Sequence, residues 1–216
     1  ALPLTPAAGI DIFVAELDTA GDPVWAKSYG GTGNDFPLQL APNPAAAGQL
    51  VTLAFCQSLG NALCVFLFDE NGVDQGSAVL QGQYDGATRM ALDPQGNLFT
   101  ITSETGVGND VGYAAVVRKQ SLGGVLAWRK SLDGVADEFH GGIAADSKGG
   151  VVVAFMGYGP VDLGLGSYGG AGNTDAHAAR LDGAGTVVWH WHRGTAGTEE
   201  PYAVTVDGAD SVILAA

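Results

Sequence analysis

Internal repetition constrains this fold more than any single motif does. Four times in 216 residues the chain passes through the same succession of short apolar runs. The first runs are "DIFVAELDTAG" from 11, "ALCVFLFDENG" from 62, "GYAAVVRKQSLGG" from 112 and "DAHAARLDGAG" from 175. Each is followed by a second: "DPVWAKSYGG", "VDQGSAVLQG", "VLAWRKSLDG" and "TVVWHWHRG". Trp25, Trp128 and Trp189 share one repeat position, which Gly76 takes in the second copy. Third runs ("FPLQLAP", "ATRMALD", "GGIAAD", "YAVTVD") and fourth runs ("QLVTLAFC", "NLFTITSE", "VVVAFMG", "SVILAA") complete the unit. Each run is short, rich in Val, Leu, Ile, Phe and Ala, and bounded by Gly, Asp and Asn, which is a strand signature. No window carries a helical period.

Four short strands per unit, repeated in tandem, predict an all-β chain. The expected fold is a β-propeller of four-stranded antiparallel blades, with strands A (innermost) to D. A blade with two apolar faces has to be covered by its neighbours. Leu40, Met90, Ile143 and Val204 align on strand A and are expected to fill the space between blades. The reading divides a single domain, 1–216, into a half-blade 1–29, blades at about 30–80, 81–132 and 133–193, and a half-blade 194–216. The two half-blades add up to one. The sequence therefore describes either a four-bladed ring or a slice of a larger one.

The repeat resembles the bacterial β-propeller repeat proteins of the SBBP and delta-60 type. The likeness rests on "D-x-F-V-A-x-L-D-x-x-G-x-x-x-W-A-K-x-x-G-G" at the start, on "L-D-x-x-G-N-x-x-T" and on "V-D-L-G-x-G" at 161–166. Residues 9–31 fit best, then 87–104 and 160–193; Gly76 and the short loop at 57–61 depart from the pattern. The resemblance implies an exported or cell-surface, often lipoprotein-anchored protein. It implies no catalytic residues.

Charge narrows the partners. Lys and Arg number 9 against 23 Asp and Glu, a formal net charge of −14. Such a surface repels phosphate backbones and anionic lipid, so nucleic acid is not expected as a partner. No run approaches the length of a membrane-spanning helix. A protein or a polysaccharide remains as the expected ligand, and an extracellular or outer-membrane-associated location as the expected setting.

Several residues invite a chemical reading. Cys56 and Cys64 flank a short loop between two apolar runs and are positioned for a disulfide, the other reading being two buried thiols. Asp35, Asp85, Glu138 and Glu199 precede strand A in successive copies. A ring of them at one channel mouth would suit Ca²⁺, whereas carboxylates bonded to their own loops would need no ion. His190 and His192 in "WHWH" lie on an outer strand, at positions held by Ala26, Ser28, Arg129 and Ser131 in other copies. They are expected to face solvent, and His140 and His177 show no convergence with them. Two histidines are too few for a zinc site. The Asp-x-x-Gly stretches read as hairpin turns, and no nucleophile elbow is present. The loop 157–174, with Tyr158 and Tyr168, is the most distinctive candidate for a binding surface. The expected role is a non-catalytic binding or scaffold module, with a lectin-like or glycoside-hydrolase propeller as the alternative.

Overall fold

A computed structural model describes residues 9–83, 88–106, 112–170 and 172–216. Among these the regular structure is all β. Eighteen strands form antiparallel sheets of two to four strands, with no helix. The first sheet holds β1 (Ile12–Leu17) and β2 (Pro23–Tyr29). The second is β3 (Asp35–Pro42), β4 (Leu50–Cys56), β5 (Ala62–Phe68) and β6 (Asp74–Val79), in that order. The third is β7 (Arg89–Leu92), β8 (Leu98–Thr105), β9 (Tyr113–Gln120) and β10 (Leu126–Leu132). The fourth joins β11 (Glu138–Ala145), β12 (Val151–Gly157), β15 (Asp175–Leu181) and β16 (Val187–Arg193). A small hairpin, β13 (Val161–Asp162) and β14 (Ser167–Tyr168), interrupts it in sequence. The last sheet is β17 (Ala203–Val206) and β18 (Val212–Ala215).

One turn device recurs along the chain. The Oδ1 of Asp18, Asp69, Asp93, Asp146, Asp182 and Asp207 each accepts N–H bonds from the residues two and four further on. The aspartate thus satisfies donors that a bare turn would leave open, which fixes strand length and register. Asp146 also receives Arg180 at 2.7 Å. Burial alone would raise its pKa, but the hydrogen bonds and charge of Arg180 and the N–H groups of Gly150 and Lys148 outweigh burial and lower it.

The core lies in the seams between successive sheets. Ile12, Val14 and Tyr29 of the first sheet meet Ala54, Cys56, Cys64, Phe66 and Phe68 of the second. Val51, Leu53, Leu63 and Val65 on the other face of the second sheet meet Met90 and Leu98 of the third. Phe99, Ile101, Ala115, Val117 and Leu132 meet Val151, Val153, Phe155, Ala179 and Leu181 of the fourth. Strand alternation explains this sorting. Odd and even residues of one strand enter different seams, so β4, β5 and β12 read as nearly continuous apolar runs, while β8, buried over the same length, carries Thr100, Thr102, Ser103 and Glu104.

The strand-A expectation holds only in part. Met90 is buried and Ile143 packs against the third-to-fourth seam, but Leu40 is 51% exposed. Among the described residues, the sheet that Leu40 faces holds the two strands β1 and β2, and no first strand lies beside it. A bulge between Pro37 and Gln39 turns Leu38 toward the second-to-third seam instead. Gln39 then bridges to β7: its Nε2 donates to the Met90 carbonyl at 3.1 Å, and its Oε1 accepts the Met90 N–H at 2.9 Å.

Tryptophan latches the sheets at their outer edge. Trp25 Nε1 donates to the Glu70 carbonyl at 2.8 Å, in the turn between β5 and β6 of the next sheet. Trp128 Nε1 donates to the Gly183 carbonyl at 3.0 Å, in the equivalent turn between β15 and β16. Each indole lies over a glycine with positive φ, Gly72 (69°) and Gly185 (86°), where a Cβ would come within 2.8 and 2.9 Å of the ring. Where Gly76 replaces tryptophan, the β6 backbone itself closes in, and a Cβ on Gly124 would collide with the Val79 carbonyl.

Cys56 and Cys64 form a disulfide, with Cα atoms 6.1 Å apart. Their strands pair Cys56 with Ala62 and Cys64 with Ala54, so the bridge runs diagonally across the β4–β5 hairpin into the first seam. Intact protein is expected to show the mass of the oxidised form. Replacing both cysteines with alanine should lower unfolding free energy by about 2–3 kcal/mol, read from urea midpoints. Trp128→Ala removes a half-buried indole and its hydrogen bond. It should cost roughly 1–3 kcal/mol, and it should leave the far-UV spectrum unchanged.

Candidate functional site

Sheet pairing brings together two groups of side chains that the sequence leaves apart. On the fourth sheet, β15 and β16 place His177 opposite His192 and Ala179 opposite His190. His177 is fully buried, and its Nδ1 lies 3.0 Å from His190 Nε2. Phe155 stacks on His177 with ring centroids 5.1 Å apart. Tyr168, carried in by the β13–β14 hairpin, stands edge-on to His190 at 5.0 Å and tilted on His192 at 5.2 Å. This corrects two expectations. His177 does converge with the "WHWH" histidines, and His190 is half-buried rather than solvent-facing. The missed signal was cross-strand register: a histidine on the third strand of a sheet neighbours the fourth.

The arrangement keeps His177 and His190 neutral. Burial first, then the charges of His190 and His192, lowers the His177 pKa to about 3. Burial and then His192 lower His190 to about 4, against a smaller opposing pull from Asp162. One ring of the His177–His190 pair donates while the other accepts. Among the described residues, no group of three or more His, Cys, Asp or Glu side chains is arranged to hold a metal ion.

Of the four carboxylates expected at the first strand of successive sheets, Asp35, Glu138 and Glu199 are among the described residues. Asp35 is fully buried and accepts the Gly31 N–H at 3.0 Å, the Ser58 N–H at 3.1 Å and the Ser58 hydroxyl at 2.9 Å. Glu199 accepts the Thr195 N–H at 2.8 Å and the Thr195 hydroxyl. Both therefore bond a loop residue four positions earlier. Glu138 is buried at the start of β11. Asp85 lies outside the described residues. The third sheet uses a different carboxylate internally. Glu104 is held bidentately by Arg118 (2.7 Å for Oε2) and by Thr102 and the Gln83 N–H. Burial would raise the Glu104 pKa, but these bonds and the Arg118 charge outweigh it and lower it.

The two loop tyrosines have different environments. Tyr168 is committed to the histidine cluster. Tyr158 is exposed and meets Phe139 edge-on at 6.2 Å, and Phe139 in turn lies 5.1 Å from the exposed ring of Tyr113. Asp137 ties the strip together, since its carboxylate accepts the Tyr113 N–H at 2.8 Å and its carbonyl accepts the Tyr158 N–H at 3.0 Å. The result is an aromatic strip with its rings toward solvent.

No protein-family model matches the chain, and no curated protein matches it significantly. Among solved structures, it is similar to a protein of unknown function from Bacteroides caccae, at 8% identity and a TM-score of 0.44. That match covers 96% of this chain and 65% of the other, so this chain spans about two thirds of its length. At that similarity it carries no argument about activity.

Acid should probe the histidine cluster directly. The unfolded chain takes up protons near pH 6.5, while folded His177 stays neutral down to about 3. Its contribution is present above 6.5, declines as pH falls through that window and is lost below about 3, a loss on the order of a few kcal/mol. Glu104 and Asp146, with lowered pKa values, add to the loss only at more acidic pH. Urea unfolding followed from about pH 7 to 5 should show the decline, and His177→Phe should shrink it, leaving the part that His190 contributes over the same window.

Proposed function

We propose that this protein is a non-catalytic binding module of the β-propeller type, exported or displayed at a cell surface. The aromatic strip Tyr113–Phe139–Tyr158 is its ligand-binding face. The observation that carries this reading is the pairing of two exposed tyrosines, one at the start of β9 and one just after β12, with Phe139 of β11, held together by Asp137. Solvent-facing rings fixed by backbone hydrogen bonds offer large contact area at low entropic cost.

The ligand class that suits such a strip is a neutral or weakly charged polysaccharide, whose sugar rings present apolar faces for stacking. Net charge −14 disfavours polyanions. The succession of two-, four-, four-, four- and two-stranded sheets with apolar seams supports the propeller reading. A binding role is preferred to hydrolysis because Asp35 and Glu199 are occupied by their own loops, where a glycosidase needs two carboxylates facing the substrate.

A screen of the purified chain against immobilised polysaccharides and glycans should yield binding that survives chelator. Tyr158→Ala should weaken it about five- to thirtyfold, because one stacked ring contributes on the order of 1–2 kcal/mol. Binding that vanishes with chelator, or that Tyr158→Ala leaves unchanged, would remove this face from consideration.

A further inference from the structure

A strand at the end of a sheet offers unpaired backbone N–H and C=O groups to other chains, and proteins guard such edges with cations or proline. Here β2, β6, β10 and β16 are the outer strands of successive sheets. Three of them are guarded: β2 begins with Pro23 and carries Lys27, β10 carries Arg129 and Lys130, and β16 carries Arg193. Strand β6 reads DQGSAV and has neither device. It is also the strand in which Gly76 stands in place of the repeated tryptophan, with nothing within 4 Å of its Cβ position. Asp74, Gln75, Gly76 and Ser77 are all exposed, and beyond them Gly124 of the next sheet closes on the Val79 carbonyl. The open edge therefore runs from Asp74 to Ser77, in a sheet flanked on both faces by other sheets of this chain.

Two hollows open beside this stretch, and both are acidic. One, of about 340 Å³, is lined by Asp74 and Ser77 together with Ser28, Tyr29 and Ser58. The other, of about 400 Å³, is lined by Gln75 together with Asp69, Glu70 and Asn71. Among the described residues, no Lys or Arg lines either one. The Tyr29 phenol feels the charge: burial first, then Asp74 and Asp69, raises its pKa. The acidic groups are held in place by the backbone. Asp69 Oδ1 accepts the Asn71 and Val73 N–H groups at 2.9 and 3.0 Å, Asp74 Oδ1 accepts the Gly76 N–H at 2.7 Å, and the Glu70 carbonyl is fixed by Trp25.

We infer that the outer edge of β6 is a docking strand for an extended, lysine- or arginine-rich segment of a partner protein, which adds to the second sheet beside β6. Strand addition of this kind draws affinity from main-chain hydrogen bonds and specificity from hollows that take the added strand's side chains. The hollows at Asp74 and at Asp69 and Glu70 take cationic side chains, and the net charge of −14 steers a basic segment toward them. A second copy of this chain fits the edge poorly, because its own β6 would bring another Asp74 and no cation. The docking strand goes beyond the polysaccharide-binding role proposed above and does not depend on it, since Tyr113, Phe139 and Tyr158 belong to the third and fourth sheets.

Titration of the 216-residue chain with a short peptide of alternating lysine and valine tests this, with binding read by fluorescence anisotropy and mapped by amide NMR shifts. Binding is expected, with the shifts centred on Asp74–Ser77, and it should weaken with added salt. The same peptide with glutamate for lysine, or with proline at its centre, should not bind. Ser77→Arg installs the guard that Arg129 supplies on β10, and it should weaken binding about tenfold or more. Asp74→Asn should weaken it to a smaller extent. Both positions are exposed, and circular dichroism checks that the variants fold. Tyr158→Ala should leave peptide binding unchanged, which separates this edge from the aromatic strip. No binding of the lysine peptide, equal binding of the glutamate or proline peptides, or an affinity untouched by Ser77→Arg would each overturn the inference. So would self-association of the chain that Ser77→Arg abolishes, which would give the edge to a second copy.

Discussion

Each four-stranded sheet in this protein buries its inner strands from both faces, and the physics of the molecule follows from the need to cover both. A sheet exposed on one side can alternate polar and apolar residues, as β2 and β16 do at the outer edge. The inner strands β4, β5 and β12 do not, because successive side chains enter two different seams. Stability is therefore a property of neighbouring pairs of sheets, and the two-stranded sheets owe theirs to the face they share with a complete one.

The seams share one geometry and differ in chemistry. The diagonal between second and third strands shows this. In the second sheet it holds the Cys56–Cys64 disulfide. In the third sheet the same stations are Glu104 and Val116, and Glu104 is spent on a bidentate pair with Arg118. In the fourth they are Gly157 and His177, where the missing side chain of Gly157 leaves room for the imidazole: a Cβ there would come within 3.3 Å of Nε2. A covalent bridge, a buried ion pair and an aromatic cluster thus fill one architectural slot. The seam demands volume and satisfied polar atoms, and several residue sets meet that demand.

Much of the fold was legible because strands have a period of two and turns have a vocabulary. The Asp-x-x-Gly repeats mark hairpins, and their aspartates accept the turns' own N–H bonds; the repeated tryptophan marks an outer strand. The site was less legible. His177 and His190 are 13 residues apart in sequence and neighbours only through the β15–β16 register. Tyr158 and Tyr168 belong to one loop, yet one faces solvent and the other is enclosed, because the β13–β14 hairpin folds Tyr168 back onto β16. Leu40 occupies the same repeat position as Met90 but lacks a neighbouring first strand to cover it.

By itself the sequence determined what local chemistry can determine: strand content, hairpin turns, the order of four-run units and the acidic surface. Each depends on residues close together in the chain. Tertiary structure decided which side chains face solvent and which became packing. Asp35 could have been a ligand until its loop folded around it, and Tyr158 could have been core until Phe139 and Tyr113 joined it at the surface. Such outcomes depend on which seam a side chain enters and whether the facing sheet is complete, and both are set by residues far away in sequence.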